Sequence, residues 1–141
     1  MAGLISVKDV MTKDVKVVRT DTSMQEVVAT MIKFDISSVV VVQKDRPVGL
    51  ITHKDILTKV LKPGFPTTAL TARQVMSRPV ITIKEETSVD EAAKLMARKG
   101  FKKLPVVQDG KLVGIVTSMD LIREQPRIIE LFEDLLKASA S

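Results

Sequence analysis

Apolar and polar residues change period along this chain in a fixed order, and the order is run twice. Val15-Lys16-Val17-Val18 is a short β-rich run. Met24, Val27, Val28 and Met31 then fall at helical spacing. Val39-Val40-Val41-Val42 is a continuous apolar run of the kind that forms a buried strand, and Val48 to Ile51 returns beyond a polar turn at Lys44-Asp45-Arg46-Pro47. Ile56, Leu57, Val60 and Leu61 resume the helical period. The second half repeats this with Val80-Ile81-Thr82-Ile83, then Val89, Ala92, Ala93 and Met96, then Leu104-Pro105-Val106-Val107, Val113 to Val116, and Leu121-Ile122. The predicted order is β-α-β-β-α in each half. The first two strands, separated by a helix, are expected to be parallel, and the last two to form a hairpin. Asp109-Gly110 is a strong hairpin signal, whereas Lys44-Asp45-Arg46-Pro47 reads as a looser turn. Ser23-x-x-Glu26 and Ser88-x-x-Glu91 have the spacing of a capping box at a helix start. Gly100 is a plausible stop for the second long helix, and Asp35 holds its place in the first.

The repetition extends to residue identity. Gly49-Leu50-Ile51-Thr52-His53-Lys54-Asp55 recurs 65 residues later as Gly114-Ile115-Val116-Thr117-Ser118-Met119-Asp120. The same offset pairs Val10-Met11 with Val75-Met76, Thr22-Ser23 with Thr87-Ser88, and Met31 with Met96. Two copies of one supersecondary unit, each too small to bury a core alone, are expected to pack together and share a cleft. Lys62-Pro63-Gly64-Phe65-Pro66 breaks the chain between them. After Pro126, the spacing of Ile128, Ile129, Leu131, Phe132, Leu135 and Leu136 predicts an amphipathic helix outside the repeat, either docked on the module or used for self-association.

Composition narrows the function classes. The chain has 141 residues with 45% apolar content, enough for a packed core. It has no cysteine, tryptophan or tyrosine and one histidine, and it shows no nucleophile–base pair, Walker loop or metal-ligand cluster, so an enzyme is not expected. His53, without cysteines, makes a zinc site a poor reading; a solvent-facing side chain is the better one. The net charge of +5 is mild, and four phenylalanines with no basic stripe rank nucleic-acid binding low. No apolar run approaches the ~20 residues of a membrane span. Met1 to Met11 carries charges and no signal-peptide core, so a soluble, cytoplasmic protein is expected.

The duplicated Gly-x-x-Thr-x-x-Asp carries the chemistry. Thr52 and Thr117 fall where a strand ends and a helix begins, and their hydroxyls are donors suited to phosphate. Asp55 and Asp120, one turn on, are acceptors for two adjacent hydroxyls such as those of a ribose. With apolar walls for a base, the elements suit a nucleotide. Thr-x-x-Asp is also close to a capping box, so the same residues serve equally as a helix cap. Spacing alone leaves both roles open, and one carboxylate has lone pairs for both.

With both signatures, the Val-Met dipeptide opening each copy and Leu104-Pro105-Val106-Val107, the chain resembles a tandem pair of CBS (cystathionine-β-synthase-type) domains, a Bateman module, over about residues 7–124. The resemblance implies a mixed α/β (α+β) fold: repeats at 7–62 and 72–125 packed sheet to sheet with pseudo-twofold symmetry, with the predicted helix at 126–138 beyond them. It implies two clefts that bind adenosyl compounds: AMP, ADP, ATP or S-adenosylmethionine, as effectors rather than as required cofactors. Carried over, one cleft would use Leu50, Thr52, Lys54 and Asp55 with Thr87, Ala92, Phe101 and Lys102. The other would use Ile115, Thr117 and Asp120 with Thr22, Val27, Ile36 and Ser37. Lys102-Lys103 matches a place where relatives that bind phosphorylated nucleotides often carry basic side chains, and the first copy has Ser37-Ser38 there. A homodimer is expected by the same resemblance, and the output would lie with an effector protein. The alternative is a structural interaction module whose clefts stay empty.

Overall fold

The serines at the two predicted helix starts do cap them. Ser23 accepts a hydrogen bond from the Glu26 N–H at 3.2 Å and Ser88 from the Glu91 N–H at 3.1 Å. The computed structural model describes residues 5–133. Its elements are α1 (Val7–Val10), β1 (Val17–Arg19), α2 (Met24–Lys33), β2 (Ser38–Gln43), β3 (Arg46–Thr52) and α3 (His53–Ile56), which runs on as a π-helical turn, Leu57–Leu61. They continue as α4 (Ala72–Val75), β4 (Ile83–Lys84), α5 (Val89–Lys99), β5 (Lys103–Gln108), β6 (Lys111–Thr117), α6 (Ser118–Glu124) and a 3₁₀ segment, Pro126–Phe132. Leu135 and Leu136, in the second half of the predicted C-terminal helix, lie outside the described residues.

Each sheet has three strands in sequence order, the first pair parallel and the second antiparallel. Even the register repeats: Val18 faces Val41 and Ile83 faces Val106. A bulge falls between Val41 and Val42 in one sheet and between Val106 and Val107 in the other. The first strands are shorter and later than the apolar runs suggest, because pairing begins only at Val17 and Ile83.

One turn differs from its sequence reading, and one helix stop matches it. Lys44 and Asp45 both have positive φ (53° and 65°), the same backbone as Asp109 and Gly110 (53° and 80°). The first hairpin is therefore the tight type I′ turn, built without glycine and so with some steric cost. At the helix stops Asp35 takes φ 51° where Gly100 takes 74°. Ile36 and Phe101 then close the helices identically, donating to the carbonyls of Met31 and Met96 at 3.0 Å.

The compact units are out of phase with the sequence repeats. One unit is Val15–Val80; the other joins the described residues up to Asp14 to those from Ile81 onward. In the first, α4 packs on β1 and β3; in the second, α1 packs on β6 and α6. Each unit thus takes its Val-Met dipeptide from the opening of the other repeat. The signature glycines make room for it. A Cβ on Gly49 would stand 2.7 Å from Met76 Cγ, and one on Gly114 would stand 2.5 Å from the Met11 sulphur. One core gathers Met24, Val27, Met31 and Ile51 around Met76, and the other gathers Val89, Ala92, Met96 and Leu121 around Ile128 and Phe132.

Candidate functional site

In the Val15–Val80 unit, β3 ends at Thr52, whose extended backbone (φ −114°, ψ 169°) gives way to α3. The Thr52 N–H donates to Asp55 Oδ2 at 2.9 Å, and the Thr52 hydroxyl lies 3.1 Å from the same oxygen. The Asp55 N–H donates back to Thr52 Oγ1 at 3.3 Å, completing a capping box. The other carboxylate oxygen is also engaged. Asp55 Oδ1 accepts from the Ser77 hydroxyl at 2.8 Å and from Lys59 Nζ at 3.1 Å. Lys59 in turn donates to the Val75 carbonyl at 3.0 Å, tying the helix to the end of α4. Asp55 is 7% exposed. Burial alone would raise its pKa, but the Thr52 N–H, the Ser77 hydroxyl and the Lys59 ammonium more than offset that and hold the carboxyl below its usual range.

In the other unit β6 ends at Thr117 in the same way. The Thr117 N–H donates to Asp120 Oδ2 at 2.9 Å, and the Asp120 N–H donates to Thr117 Oγ1 at 3.1 Å. Here, among the described residues, Oδ1 has only the mostly exposed Arg123 guanidinium, at 3.5 Å, the outer limit of a hydrogen bond. The 65-residue offset explains the difference. Lys59 corresponds to Glu124, which cannot donate and repels Asp120 at i+4, and Ser77 corresponds to Thr12. Thr12 and Ser77 otherwise do the same backbone work, bridging to Ile115 and Leu50 in both directions at 2.8–3.2 Å.

The remaining carried-over residues fall into three groups. Val27 and Ala92 are wholly buried in the two cores, on the inward stripe of a long helix. Leu50, Ile36, Thr22, Thr87, Ile115 and Phe101 are half-buried, and Lys54, Ser37 and Lys102 are exposed. Thr22 already accepts from the Arg19 N–H at 2.9 Å. Within each unit the signature turn is stitched to the start of the second strand: His53 N–H donates to the Ser37 carbonyl at 3.2 Å and Ser118 N–H to the Lys102 carbonyl at 2.9 Å. Residues assigned to opposite clefts are thus neighbours within one unit. Lys59 and Ser77 were not foreseen. The i,i+4 spacing of Asp55 and Lys59 was a legible signal for the first; Ser77 is brought in by a fold contact with no local pattern.

The CBS-domain family profile matches residues 7–62 and 72–127. The chain belongs to the CBS-domain family. An uncharacterized protein of Methanopyrus kandleri is 40% identical over 135 residues, covering 94% of this chain and 69% of its own length. Across three methanogen relatives the chain spans 66–74% of their length. Among solved structures, an uncharacterized conserved protein of Pyrococcus horikoshii is similar at TM-score 0.76 and 34% identity, covering 88% of this chain and 94% of that one. The CBS domain pair of protein MJ0100, in complex with 5′-methylthioadenosine and S-adenosyl-L-methionine, is similar at TM-score 0.76 and 31% identity, over 88% and 98% of the two chains. CBS-domain pairs are regulatory ligand-binding modules. Among the described residues no helix is long and apolar enough to cross a membrane, and no cluster of three or more candidate metal ligands occurs.

Proposed function

We propose that this CBS pair is a non-enzymatic sensor of an adenosyl compound, with AMP, ADP, ATP and S-adenosylmethionine as the candidate effectors. The observation that carries the reading is the Thr117–Asp120 turn. Its box is closed through Oδ2, while Oδ1 keeps lone-pair capacity for a ligand hydroxyl. A ribose diol is a donor pair of that kind. The MJ0100 pair, bound to two adenosyl ligands, supports the class of ligand without choosing among its members. Leu50, Ile36 and Ile115 offer apolar contact, and the exposed Lys102 and Lys54 offer charge to a phosphorylated tail. The committed carboxylate of Asp55 favours a different part for the first signature, a structural clasp around α3, which is where the reading of an unfilled interaction module retains force. The module acts as a homodimer and passes its state to an effector protein, in a cytoplasmic setting.

The test is a thermal-shift and calorimetric screen of ligand-stripped protein against AMP, ADP, ATP and S-adenosylmethionine, with guanosine nucleotides as controls. A ligand at about 100 times its Kd adds about 2.7 kcal/mol to stability, a melting shift of roughly 5–15 °C in a domain of this size. Absence of both shift and heat with all four would refute the proposal. Light scattering across a concentration series tests the homodimer, and phosphate release from ATP by repurified protein tests the non-enzymatic part.

A further inference from the structure

The two signature turns hold different cations, and they hold them differently. At the first turn the cation is Lys59. Its ammonium meets Asp55 Oδ1 at 3.1 Å, the Val75 carbonyl at 3.0 Å and the Ser77 hydroxyl at 3.4 Å. Three partners fix it in place. At the second turn the cation is Arg123. Its guanidinium meets Asp120 Oδ1 at 3.5 Å, and its side chain is 72% exposed. Among the described residues it has no other partner. An ion pair of that length and exposure contributes little to stability. It leaves a long, charged side chain standing one helical turn from the carboxylate assigned to the ligand's diol.

The duplication serves as the control. The position equivalent to Arg123 is Thr58, whose hydroxyl turns back to the Lys54 carbonyl at 2.8 Å, so the first turn has no counterpart of this arginine. The surroundings of Arg123 are basic. In the same unit Lys102 is exposed, with its carbonyl accepting from the Ser118 N–H at 2.9 Å, and Lys103 faces Thr117 in the β5–β6 register. Burial, and after it the neighbouring Lys102 ammonium, holds Lys103 below the usual lysine range, a crowding of charge that a nearby anion relieves. Glu124 is the exposed acid beside Arg123. Arg127, four residues on, is committed elsewhere: it pairs with Asp90 at 3.2 Å and donates to Gln125 at 3.0 Å.

A ribose hydroxyl and Arg123 compete for the same oxygen. A hydroxyl donating to Asp120 Oδ1 displaces the guanidinium, which then lacks a partner. A ligand with an anion on that ribose takes the guanidinium over, whereas a ligand with a cation there repels it. We propose that Arg123 is a displaceable counter-ion that selects the ligand: it covers Asp120 before the ligand arrives, then pairs with the 5′-phosphate of a nucleotide whose diol has taken Asp120. The inference rests on the diol reading above and narrows it. It favours AMP, ADP and ATP over adenosine, and over S-adenosylmethionine, whose sulfonium stands at the 5′ position where the nucleotide has its phosphate.

The experiment is calorimetry on the ligand-stripped full chain with adenosine, AMP and S-adenosylmethionine, using the parent, Arg123→Gln, Arg123→Lys and Arg127→Gln. The parent should bind AMP at least about tenfold more tightly than adenosine, the scale of a charge-assisted hydrogen bond, and the preference should shrink with added salt. Arg123→Gln should weaken AMP by about that factor and leave adenosine as tight or tighter, because a competitor for Oδ1 is gone. Arg123→Lys should restore part of the preference for AMP. Arg127→Gln, which removes the same charge from a side chain tied to Asp90, should keep the parent's ratio. The proposal is overturned if Arg123→Gln keeps the parent's ratio, if it weakens AMP and adenosine alike, if Arg127→Gln lowers the ratio as much, or if the parent binds S-adenosylmethionine more tightly than AMP. Failure of the diol reading looks different and takes the inference with it: no adenosyl compound binds the parent, or Asp120→Asn binds adenosine as the parent does.

Discussion

Thr52–Asp55 and Thr117–Asp120 close the same box around the first turn of a helix, with N–H to Oδ2 bonds of 2.9 Å in both. They part at Oδ1. In the first, Ser77 and Lys59 fill it and bind the turn to the segment after α4; in the second, Arg123 touches it at 3.5 Å. One substitution of sign, Lys59 against Glu124, and one of size, Ser77 against Thr12, separate a clasp from an acceptor. A duplicated motif thus keeps its geometry while its two carboxylates are engaged differently, which identity at the motif positions alone does not reveal.

The largest expected effect tests the clasp. Asp55→Ala removes the box together with two further bonds to a buried carboxylate, and should destabilise by about 2–3 kcal/mol, against about 1 kcal/mol for Asp120→Ala, which loses chiefly a cap. Urea unfolding of both variants measures the difference, and equal losses would break the comparison. Next comes pH. The folded pKa of Asp55 lies below its unfolded value of 3.8, so its contribution is present above 3.8 and is lost as pH falls through the lower, folded value. Asp55→Asn should therefore flatten the acid limb of the stability profile in that window; an unchanged limb would show that the clasp is not ionic.

At Asp45, replacement by glycine relieves a positive φ and should stabilise by about 1 kcal/mol or less, whereas Asp109→Gly acts on a hairpin already relieved by Gly110. Smallest of all, Glu124→Lys should rebuild the i+4 pair at Asp120 and add about 0.3–0.5 kcal/mol. It should also cost ligand affinity there, since Oδ1 gains a competing donor. Thermal melts with and without ligand read both.

Much of this was legible in the sequence. The strand and helix order and the hairpins followed from periodicity and an ungapped repeat, because local pattern and duplicated fold agree; the family came from the resemblance of the two signatures and the Val-Met dipeptides to CBS domains. The exchange of Val10-Met11 and Val75-Met76 between units was not, since an offset says which residues correspond but not which sheet they join. Val27 and Ala92, carried over as ligand residues, lie in the cores by their helical phase. Lys102-Lys103 points the site asymmetry toward the Asp55 set, whereas the hydrogen bonding at Oδ1 favours Asp120 as the available acceptor, a contrast that rests in part on the long-range Ser77 contact.

The central claim, that the second signature holds the ligand's diol, is tested most directly by titrating calorimetry of the best effector from the screen against the parent, Lys59→Ala and Asp120→Asn, all below their melting temperatures. Loss of a charge-assisted hydrogen bond, about 1.5–3 kcal/mol, predicts that Asp120→Asn weakens the principal binding event by at least tenfold. Lys59→Ala should leave that event intact. An Asp120→Asn variant that binds like the parent would contradict the account.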